Sequence, residues 1–332
     1  MRRLGKTAMY VKEIGLGGIP LQRLEPEDVK AIIREMIKHQ ANVIDTARGY
    51  TVSEALIGEA IQGCRHQFYL FTKSSARTFD EMEKDIQTSL NNLKTDYIDL
   101  YQFHNVKNRE EYNLIMSEKG AYQALLAAKQ SGKIGHIGLT THNLDLLEEI
   151  IDDYRFETIQ FPYNILETQA EALFEKAAEK DIGVVVMKPL AGGAIPNPRL
   201  ALKFILNNPN ISVAIPGMES VEQAKINLSV IGEPLSQSEI KETEKIRSFL
   251  NNDFCRRCGY CLPCTVGIDI PTCFTFEGYY TRYALEEWAY TRYLSLTKHA
   301  SDCIERRVCE SRCPYDLQIA DKMKNVKRTF KL

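Results

Sequence analysis

Four polar side chains near the ends of short apolar runs could together carry out proton transfer. Asp45 and Lys73 lie at the ends of two such runs, His104 ends a third, and Tyr50 follows Asp45 by five residues. A phenol beside an ammonium has a lowered pKa, and a carboxylate beside that ammonium keeps it charged and in place. A tyrosine in such surroundings can act as a general acid or base. Each residue alone says little, since a single histidine or lysine at a strand end usually has a structural or solvent-exposed role.

The cysteines form a second group of residues that could do chemistry. Eight of the nine lie between Cys255 and Cys313, and four of these follow one another at three-residue intervals from Cys255 to Cys264. In a cytoplasmic chain such clustering indicates metal binding rather than disulfide bonds. Zinc sites prefer two C-x-x-C pairs about 15–20 residues apart, whereas three cysteines at x₂ spacing with a remote Cys-Pro resemble ferredoxin modules.

Composition restricts the classes of partner. The 332 residues have a net charge of −2, with 44% hydrophobic and 26% charged residues, as in an ordinary globular protein. This balance gives no reason to expect a nucleic acid or a membrane surface as a partner. The first residues, Met1–Lys6, lack the apolar stretch of a signal peptide, and no apolar run reaches the roughly 18 residues that span a bilayer. We therefore predict a cytoplasmic protein.

The elements that must position the four polar side chains alternate regularly along the chain. A short hairpin and a first strand ending at Gly15–Gly18 precede a series of helix-period segments and short apolar runs. The predicted helices cover 26–40, 53–63, 78–94, 120–132, 144–153, 168–180, 197–208 and 220–231. The predicted strands cover 42–46, 68–73, 98–104, 134–140, 158–161, 184–188 and 211–215.

Eight β/α units predict an α/β fold with a closed (β/α)8 TIM barrel. An open doubly wound sheet is a poorer fit, because Gly15-Leu16-Gly17-Gly18 does not complete the G-x-G-x-x-G phosphate-binding pattern. In a barrel the carboxyl ends of the strands meet at one mouth, which would bring Asp45, Lys73 and His104 together with Tyr50. The extra segments 109–119 and 236–253 are predicted to be structural.

A change in composition near Asn251–Phe254 marks the predicted domain boundary. We predict a barrel domain over residues 1–250 and a small, mainly helical, ferredoxin-like iron–sulfur domain over residues 251–332. A barrel of about 250 residues is of typical size.

The residues around Asp45 resemble a known family. Asp45-Thr46-Ala47 with Tyr50, followed by Ser53-Glu54 and Leu56-Ile57-Gly58, resembles the aldo-keto reductase pattern, and the likeness extends to about residue 232. Lys73 and His104 stand where that family places the rest of its catalytic tetrad. The resemblance implies hydride transfer from a nicotinamide to a substrate carbonyl, with Tyr50 donating the proton. Lys73 would lower the Tyr50 pKa, Asp45 would hold Lys73, and His104 would orient and polarise the carbonyl.

The same resemblance implies a nicotinamide site. The segment 138–143 is similar to the family's carboxamide-binding segment, with Thr140-Thr141 where Ser-Asn is common, and Gln160 begins a segment that also contacts the carboxamide. Met187 stands where an aromatic residue often stacks on the nicotinamide. The implied cofactor-binding residues are Thr140, Thr141, Gln160, Met187, Pro189, Leu190, Gly217, Met218, Gln223 and Asn227.

The segment 215–223 resembles the part of the family's site that binds the cofactor phosphates. Gly217 and Gln223 stand where many members have basic residues that hold the 2′-phosphate of NADPH. Backbone amides and the helix start near Ser220 could still bind phosphate, with Lys225 assisting. NADP(H) is therefore favoured over NAD(H) only by the family resemblance.

The resemblance to ferredoxin modules with two motifs implies which cysteines share a cluster, because the last cysteine of each motif ligates the other motif's cluster. One [4Fe–4S] cluster would use Cys255, Cys258, Cys261 and Cys313. A second would use Cys264, Cys303 and Cys309, with Arg306 where a cysteine is expected. A [3Fe–4S] cluster, a [4Fe–4S] cluster completed by Cys273 or a non-protein ligand, and an empty site all remain open.

These features predict an NAD(P)H-dependent oxidoreductase that reduces a small-molecule aldehyde or ketone and carries a structural or electron-transferring iron–sulfur module. Without a flavin to split the electron pair, the cluster is not expected on the hydride path. A redox protein partner is compatible with such a module. Two alternatives are a non-enzymatic nicotinamide or redox sensor acting through the iron–sulfur domain, and a zinc-stabilised binding module on an inert barrel.

Overall fold

The structure is a computed structural model. It describes the chain except for residues 154, 196, 251–254, 258, 282–284, 314 and 332, and except for the side chains of residues 249 and 250. Contacts between Cα atoms divide the chain into two compact units. The first comprises Met1–Asn164, Thr168–Pro189 and Asn197–Leu235, and the second comprises Ile165–Glu167, Leu190–Pro196 and Ser236–Leu332. The predicted domain boundary at residue 250 stays a prediction.

The first unit is built on a parallel sheet that follows a short hairpin of β1 (Arg2–Arg3) and β2 (Tyr10–Val11). Eight strands pair in chain order, each parallel to the next. They are β3 (Leu16–Gly17), β4 (Val43–Asp45), β5 (Tyr69–Ser74), β6 (Ile98–Phe103), β7 (Ile134–Thr140), β8 (Thr158–Pro162), β9 (Gly183–Met187) and β10 (Val213–Ala214). Each strand begins and ends within two residues of the bounds predicted from the sequence.

Bridges between the first and last strands close the sheet into a ring. Ile14 pairs with Ala214 and Gly17 pairs with Gly217, both in parallel. The approach at Gly17 is so close that a Cβ atom there would lie 2.5 Å from the Ile215 carbonyl oxygen, so only glycine fits. The predicted (β/α)8 barrel is therefore confirmed.

Helices follow the strands and cover the outside of the ring. They are α1 (Pro26–Lys38), α2 (Ser53–Ala60), α3 (Phe79–Leu93), α4 (Arg109–Met116), α5 (Ala121–Gln130), α6 (Leu144–Ile150), α7 (Glu171–Glu179), α8 (Pro198–Leu206) and α9 (Val221–Leu228). In α1 the buried residues Val29, Ile32, Ile33 and Met36 recur at helical spacing and form the face that packs into the core. The charged segment 109–119 supplies α4.

Two apolar layers hold the barrel together. The larger one lies between the helices and the outer face of the strands. The smaller one fills the ring itself, where Val43, Phe71, Leu100, Val185 and Val213 pack together from five different strands. Strands that are buried on both faces explain the nearly continuous apolar runs of the sequence.

The second unit is mainly helical and contains the clustered cysteines. Its helices are α10 (Gln237–Leu250), α11 (Ile270–Thr281), α12 (Glu286–Leu294) and α13 (Ile319–Phe330). Its core combines cysteine side chains with apolar and aromatic ones, and the Tyr293 ring stacks on Phe330 at a centroid distance of 3.9 Å. None of the described helices is both long and apolar enough to cross a membrane. The predicted cytoplasmic location stays a prediction.

Candidate active site

A buried ion pair lies at the carboxyl ends of β4 and β5. Asp45 and Lys73 are 2% and 1% exposed, and the Lys73 Nζ donates to Asp45 Oδ1 at 2.5 Å and to the Thr46 carbonyl oxygen at 2.8 Å. The Gln102 amide donates to the other carboxylate oxygen at 3.3 Å. In the parallel pairing of β4 and β5, Asp45 lies opposite Phe71, two residues before Lys73. The charges therefore compensate each other in a site that water scarcely reaches.

Tyr50 and His104 lie beside this pair. The Lys73 Nζ is 5.2 Å from the centre of the Tyr50 ring, and the ring of His104 meets that of Tyr50 edge-on at a centroid distance of 5.8 Å. The loop after β4 carries Tyr50, whose backbone N–H donates to the Ala47 carbonyl at 3.0 Å. The backbone N–H of His104 donates to the Ser74 carbonyl at 2.8 Å. The four residues predicted from the sequence thus come together at one end of the barrel.

Burial sets the protonation behaviour of this group. It raises the pKa of Asp45 and lowers the pKa of Lys73, and the ion pair opposes both shifts. Since each charge lies against its partner, the charged pair is favoured over two neutral groups. Burial also lowers the pKa of His104 to about 3, with the positive charges of Lys73 and Arg77 acting in the same direction. The imidazole is therefore neutral at physiological pH.

The lowered pKa of His104 has a consequence for stability. An unfolded histidine takes up a proton near pH 6.5, whereas His104 in the folded protein does so only near pH 3. Between these values the unfolded state binds more protons, so this residue makes the free energy of unfolding fall as the pH falls. We expect His104→Gln to lose stability more slowly than the wild type in denaturation series between pH 6 and pH 4. The control His66→Gln, at an exposed position, should show the same dependence of unfolding free energy on pH as the wild type. The same dependence in His104→Gln would contradict the lowered pKa of His104.

The predicted carboxamide-binding residues are all buried near the ends of β7 and β8. Gln160 is 2% exposed, and its side-chain oxygen has no partner among the described residues. The Thr140 hydroxyl accepts from the Asn105 backbone N–H at 2.7 Å, which leaves its own proton available. The Thr141 hydroxyl donates to the Val106 carbonyl at 2.7 Å and accepts from the Asn143 N–H at 3.0 Å. Gln160 and Thr140 therefore suit a carboxamide better than Thr141 does.

Met187 ends β9 and packs on the apolar interior of the ring while remaining partly exposed. Pro189 is buried and belongs to the first unit, and Leu190 belongs to the second. A partly exposed thioether at the top of the ring can cover one face of a flat heterocycle. The nicotinamide role of these three residues stays a prediction.

The segment after β10 contains the residues predicted at the phosphate end of the cofactor. A Cβ atom on Gly217 would lie 2.7 Å from Pro20 Cγ, so a basic side chain has no room there. Met218 is fully buried and Asn227 is 3% exposed. The Gln223 side chain accepts from the Glu219 backbone N–H at 2.9 Å, which occupies its oxygen locally.

Arg23 is a residue that the sequence interpretation missed. It ends the short 3-10 helix Ile19–Arg23 after β3 and forms an ion pair with Glu219 of the phosphate-end segment. One of its guanidinium nitrogens is buried without a partner among the described residues. The closure of the ring, which pairs Gly17 with Gly217, brings the two loops together. Nothing local to Arg23 in the sequence indicated this position.

In the second unit, the described cysteines predicted as ligands line two separate cavities. Cys255, Cys261 and Cys313 line one cavity, and Cys258 lies outside the described residues. Cys264, Cys303 and Cys309 line the other cavity. The same division is expected if the last cysteine of each motif ligates the cluster of the other motif.

No described set of three histidine, cysteine or carboxylate side chains is close enough to hold a single metal ion. The alternative of a zinc-stabilised module stays a prediction.

A sequence model of the Aldo/keto reductase family matches residues 13–199, more than half of the chain. The chain belongs to the aldo-keto reductase family. A model of a 4Fe-4S dicluster domain matches residues 254–318. The protein is thus an oxidoreductase of a family that uses nicotinamide cofactors, with a 4Fe-4S domain added to it.

Known aldo-keto reductases and other oxidoreductases are similar to the chain. It is 26% identical to L-galactose dehydrogenase of Arabidopsis thaliana, with 76% of this chain and 95% of the relative covered. It is 29% identical to the oxidoreductase YqkF of Bacillus subtilis, with 58% of this chain and 66% of the relative covered. The structure of aldo-keto reductase AKR11C1 from Bacillus halodurans in its holo form matches with a TM-score of 0.65 and 24% identity, covering 74% of this chain and 95% of that one.

Proposed function

We propose that this aldo-keto reductase reduces the carbonyl group of a small aldehyde or ketone with NADPH, using Tyr50 as the proton donor. The observation that carries the proposal is the buried ion pair of Asp45 and Lys73, with the rings of Tyr50 and His104 beside it. A buried charge pair is costly to hold, so its position beside a phenol at the mouth of a barrel suits a catalytic role better than a stabilising one.

The nicotinamide, when bound, supplies a hydride to the substrate carbon. The side chains of the protein then have three tasks. Tyr50 donates a proton to the substrate oxygen, and the Lys73 ammonium stabilises the phenolate that is left. Asp45 keeps Lys73 charged and directs it, with the Thr46 carbonyl as a second acceptor. His104, neutral because its pKa is about 3, can donate an N–H to the carbonyl oxygen without competing as an acid.

The residues present suit a nicotinamide at this mouth. The unpartnered Gln160 oxygen can accept from the carboxamide amine, and the Thr140 hydroxyl can donate to the carboxamide oxygen. Met187 can lie against the ring. Leaving a buried amide oxygen without a partner costs about 1–3 kcal/mol, which binding of the carboxamide would recover.

Carbonyl-dependent oxidation of NADPH by the anaerobically purified full-length protein tests this function. A panel of aldehydes and ketones should increase NADPH oxidation over the rate with cofactor alone, as followed by nicotinamide absorbance. Tight binding of NADPH without turnover of any carbonyl, together with a change in the iron–sulfur spectrum on binding, would instead favour the redox-sensor alternative.

We assign the preference for NADPH to Arg23. Its guanidinium can bind the 2′-phosphate in place of the basic side chains that Gly217 and Gln223 lack, because phosphate is a good partner for a planar guanidinium. Glu219 competes with the phosphate for Arg23 and repels it.

Arg23→Gln is therefore expected to raise the Kd for NADPH about tenfold with little change for NADH, and Glu219→Gln to lower the Kd for NADPH. Fluorescence titration with both cofactors measures these changes. Arg3→Gln, which removes an exposed ion pair with Asp181, is the control. Equal losses for NADPH and NADH in Arg23→Gln would show that Arg23 does not contact the 2′-phosphate.

We further propose that Cys255, Cys258, Cys261 and Cys313 hold a [4Fe–4S] cluster, and that Cys264, Cys303 and Cys309 hold a second cluster. Support comes from the match of residues 254–318 to a model of a 4Fe-4S dicluster domain. The described cysteines also separate into two cavities. Thiolate ligands are what such clusters require. The clusters exchange single electrons, so a one-electron redox protein is the kind of partner that they would serve.

A further inference from the structure

The second cysteine cavity has an incomplete set of thiols. Cys264, Cys303 and Cys309 line it, and the position three residues after Cys303 is Arg306, which lines it too. The site therefore presents three of the four thiols expected around a cluster, with an arginine at the place of the fourth.

No other described thiol completes the set. Cys273 lies on α11, fully buried, and does not line either cavity. Glu305 lines the cavity, but its carboxylate forms an ion pair with Lys324 at 2.9 Å. A cluster held in this cavity would thus have one iron without a cysteine ligand.

Three guanidinium groups line the same cavity, and two of them are already engaged. Arg307 pairs with Glu310 and Asp321, and Arg312 donates to backbone carbonyls, that of Leu262 among them. Arg306 is exposed and forms no hydrogen bond or ion pair with any described residue. Its guanidinium is therefore available to a ligand from solution.

We propose that the second site holds a [4Fe–4S] cluster through three cysteines, and that the fourth iron binds a small carboxylate which Arg306 helps to recognise. This inference rests on the second cluster proposed above. An iron without a thiolate takes an oxygen ligand, and the guanidinium fork matches a carboxylate in shape and charge. Replacing a thiolate by a guanidinium also adds two positive charges to the surroundings of the cluster, which favours an anionic ligand.

The missing thiolate also makes the fourth iron removable. One-electron oxidation of the [4Fe–4S]²⁺ cluster by ferricyanide would release Fe²⁺ and leave a [3Fe–4S]⁺ cluster on the three cysteines. Adding Fe²⁺ and a one-electron reductant such as dithionite would restore the original cluster. The first site, with four thiolates, should resist this conversion.

The test uses the anaerobically purified full-length protein, with iron analysis and EPR after ferricyanide. The wild type should lose about one iron of eight and show the signal of an oxidised [3Fe–4S] cluster. Arg306→Cys should keep all its iron and lack the signal. Cys264→Ser should lose the second cluster and keep the first, while Arg328→Gln, which removes another exposed arginine, should behave like the wild type.

Malonate is the probe for the carboxylate. Malonate should change the EPR spectrum of the reduced wild-type protein. In Arg306→Gln the same change should require an about tenfold higher malonate concentration, and in Arg306→Cys malonate should have no effect.

Three results would overturn the inference. About four irons in the wild type would show that the second site is empty, without affecting the proposed reductase activity. Full resistance to ferricyanide would show that a protein ligand completes the cluster, and a [3Fe–4S] signal only in Glu305→Gln would identify that ligand. Equal malonate affinity in wild type and Arg306→Gln would remove the role of Arg306.

Discussion

Tyr50→Phe is expected to lower the rate of carbonyl-dependent NADPH oxidation about 10²–10⁴-fold, the usual contribution of a positioned general acid. The ring of phenylalanine can keep the edge contact with His104 and the place beside Lys73, so the mouth of the barrel should hold its shape. The substitution removes the transferable proton. The affinity for NADPH should change little, because the phenol acts on the substrate oxygen.

Steady-state kinetics with a saturating carbonyl, together with cofactor titration, would measure both quantities. Tyr10→Phe is a matched control, because Tyr10 is 55% exposed on β2 and belongs to no part of the proposed site. If Tyr50→Phe keeps the wild-type kcat, the proton comes from another group.

Lys73→Met is expected to remove activity and to lower the free energy of unfolding by about 3–5 kcal/mol, the cost of leaving one member of a buried ion pair without its partner. Asp45 would then keep a hydrogen bond from Gln102 but no positive charge in contact with it. The double variant Asp45→Asn/Lys73→Met should regain most of the stability, since no net charge remains buried. It should remain inactive, because the ammonium that stabilises the Tyr50 phenolate is absent.

Denaturation followed by circular dichroism at constant pH would measure the stabilities. The control is Lys94→Met, which removes an exposed ion pair with Glu59 and should cost at most about 1 kcal/mol. A Lys73→Met protein as stable as this control would show that Asp45 is neutral in the folded state. Activity in the double variant would exclude Lys73 from the mechanism.

The amino-acid sequence by itself determined the barrel and the membership of the four-residue group at its mouth. Both depend on short-range patterns. The apolar residues of α1 recur at helical spacing, the strands are largely apolar, and Asp45, Lys73 and His104 each stand within one residue of a strand end. In a parallel barrel those ends must meet, so local patterns sufficed. The resemblance of the cysteine segments to ferredoxin modules likewise predicted the two groups into which the described cysteines separate.

Only the tertiary structure decided which side chains remain available for a ligand. Whether the Thr141 hydroxyl is occupied, the Gln160 oxygen unpartnered or the Arg23 guanidinium beside Glu219 depends on contacts between segments far apart in the chain. Ring closure at Gly17 and Gly217 brings Arg23 close to Glu219. Likewise Arg306 could be identified from the sequence as a missing thiolate, but its place on a cavity wall beside two already engaged arginines required the folded domain. Hydrogen-bond partners are settled by three-dimensional packing, which local sequence periodicity does not encode.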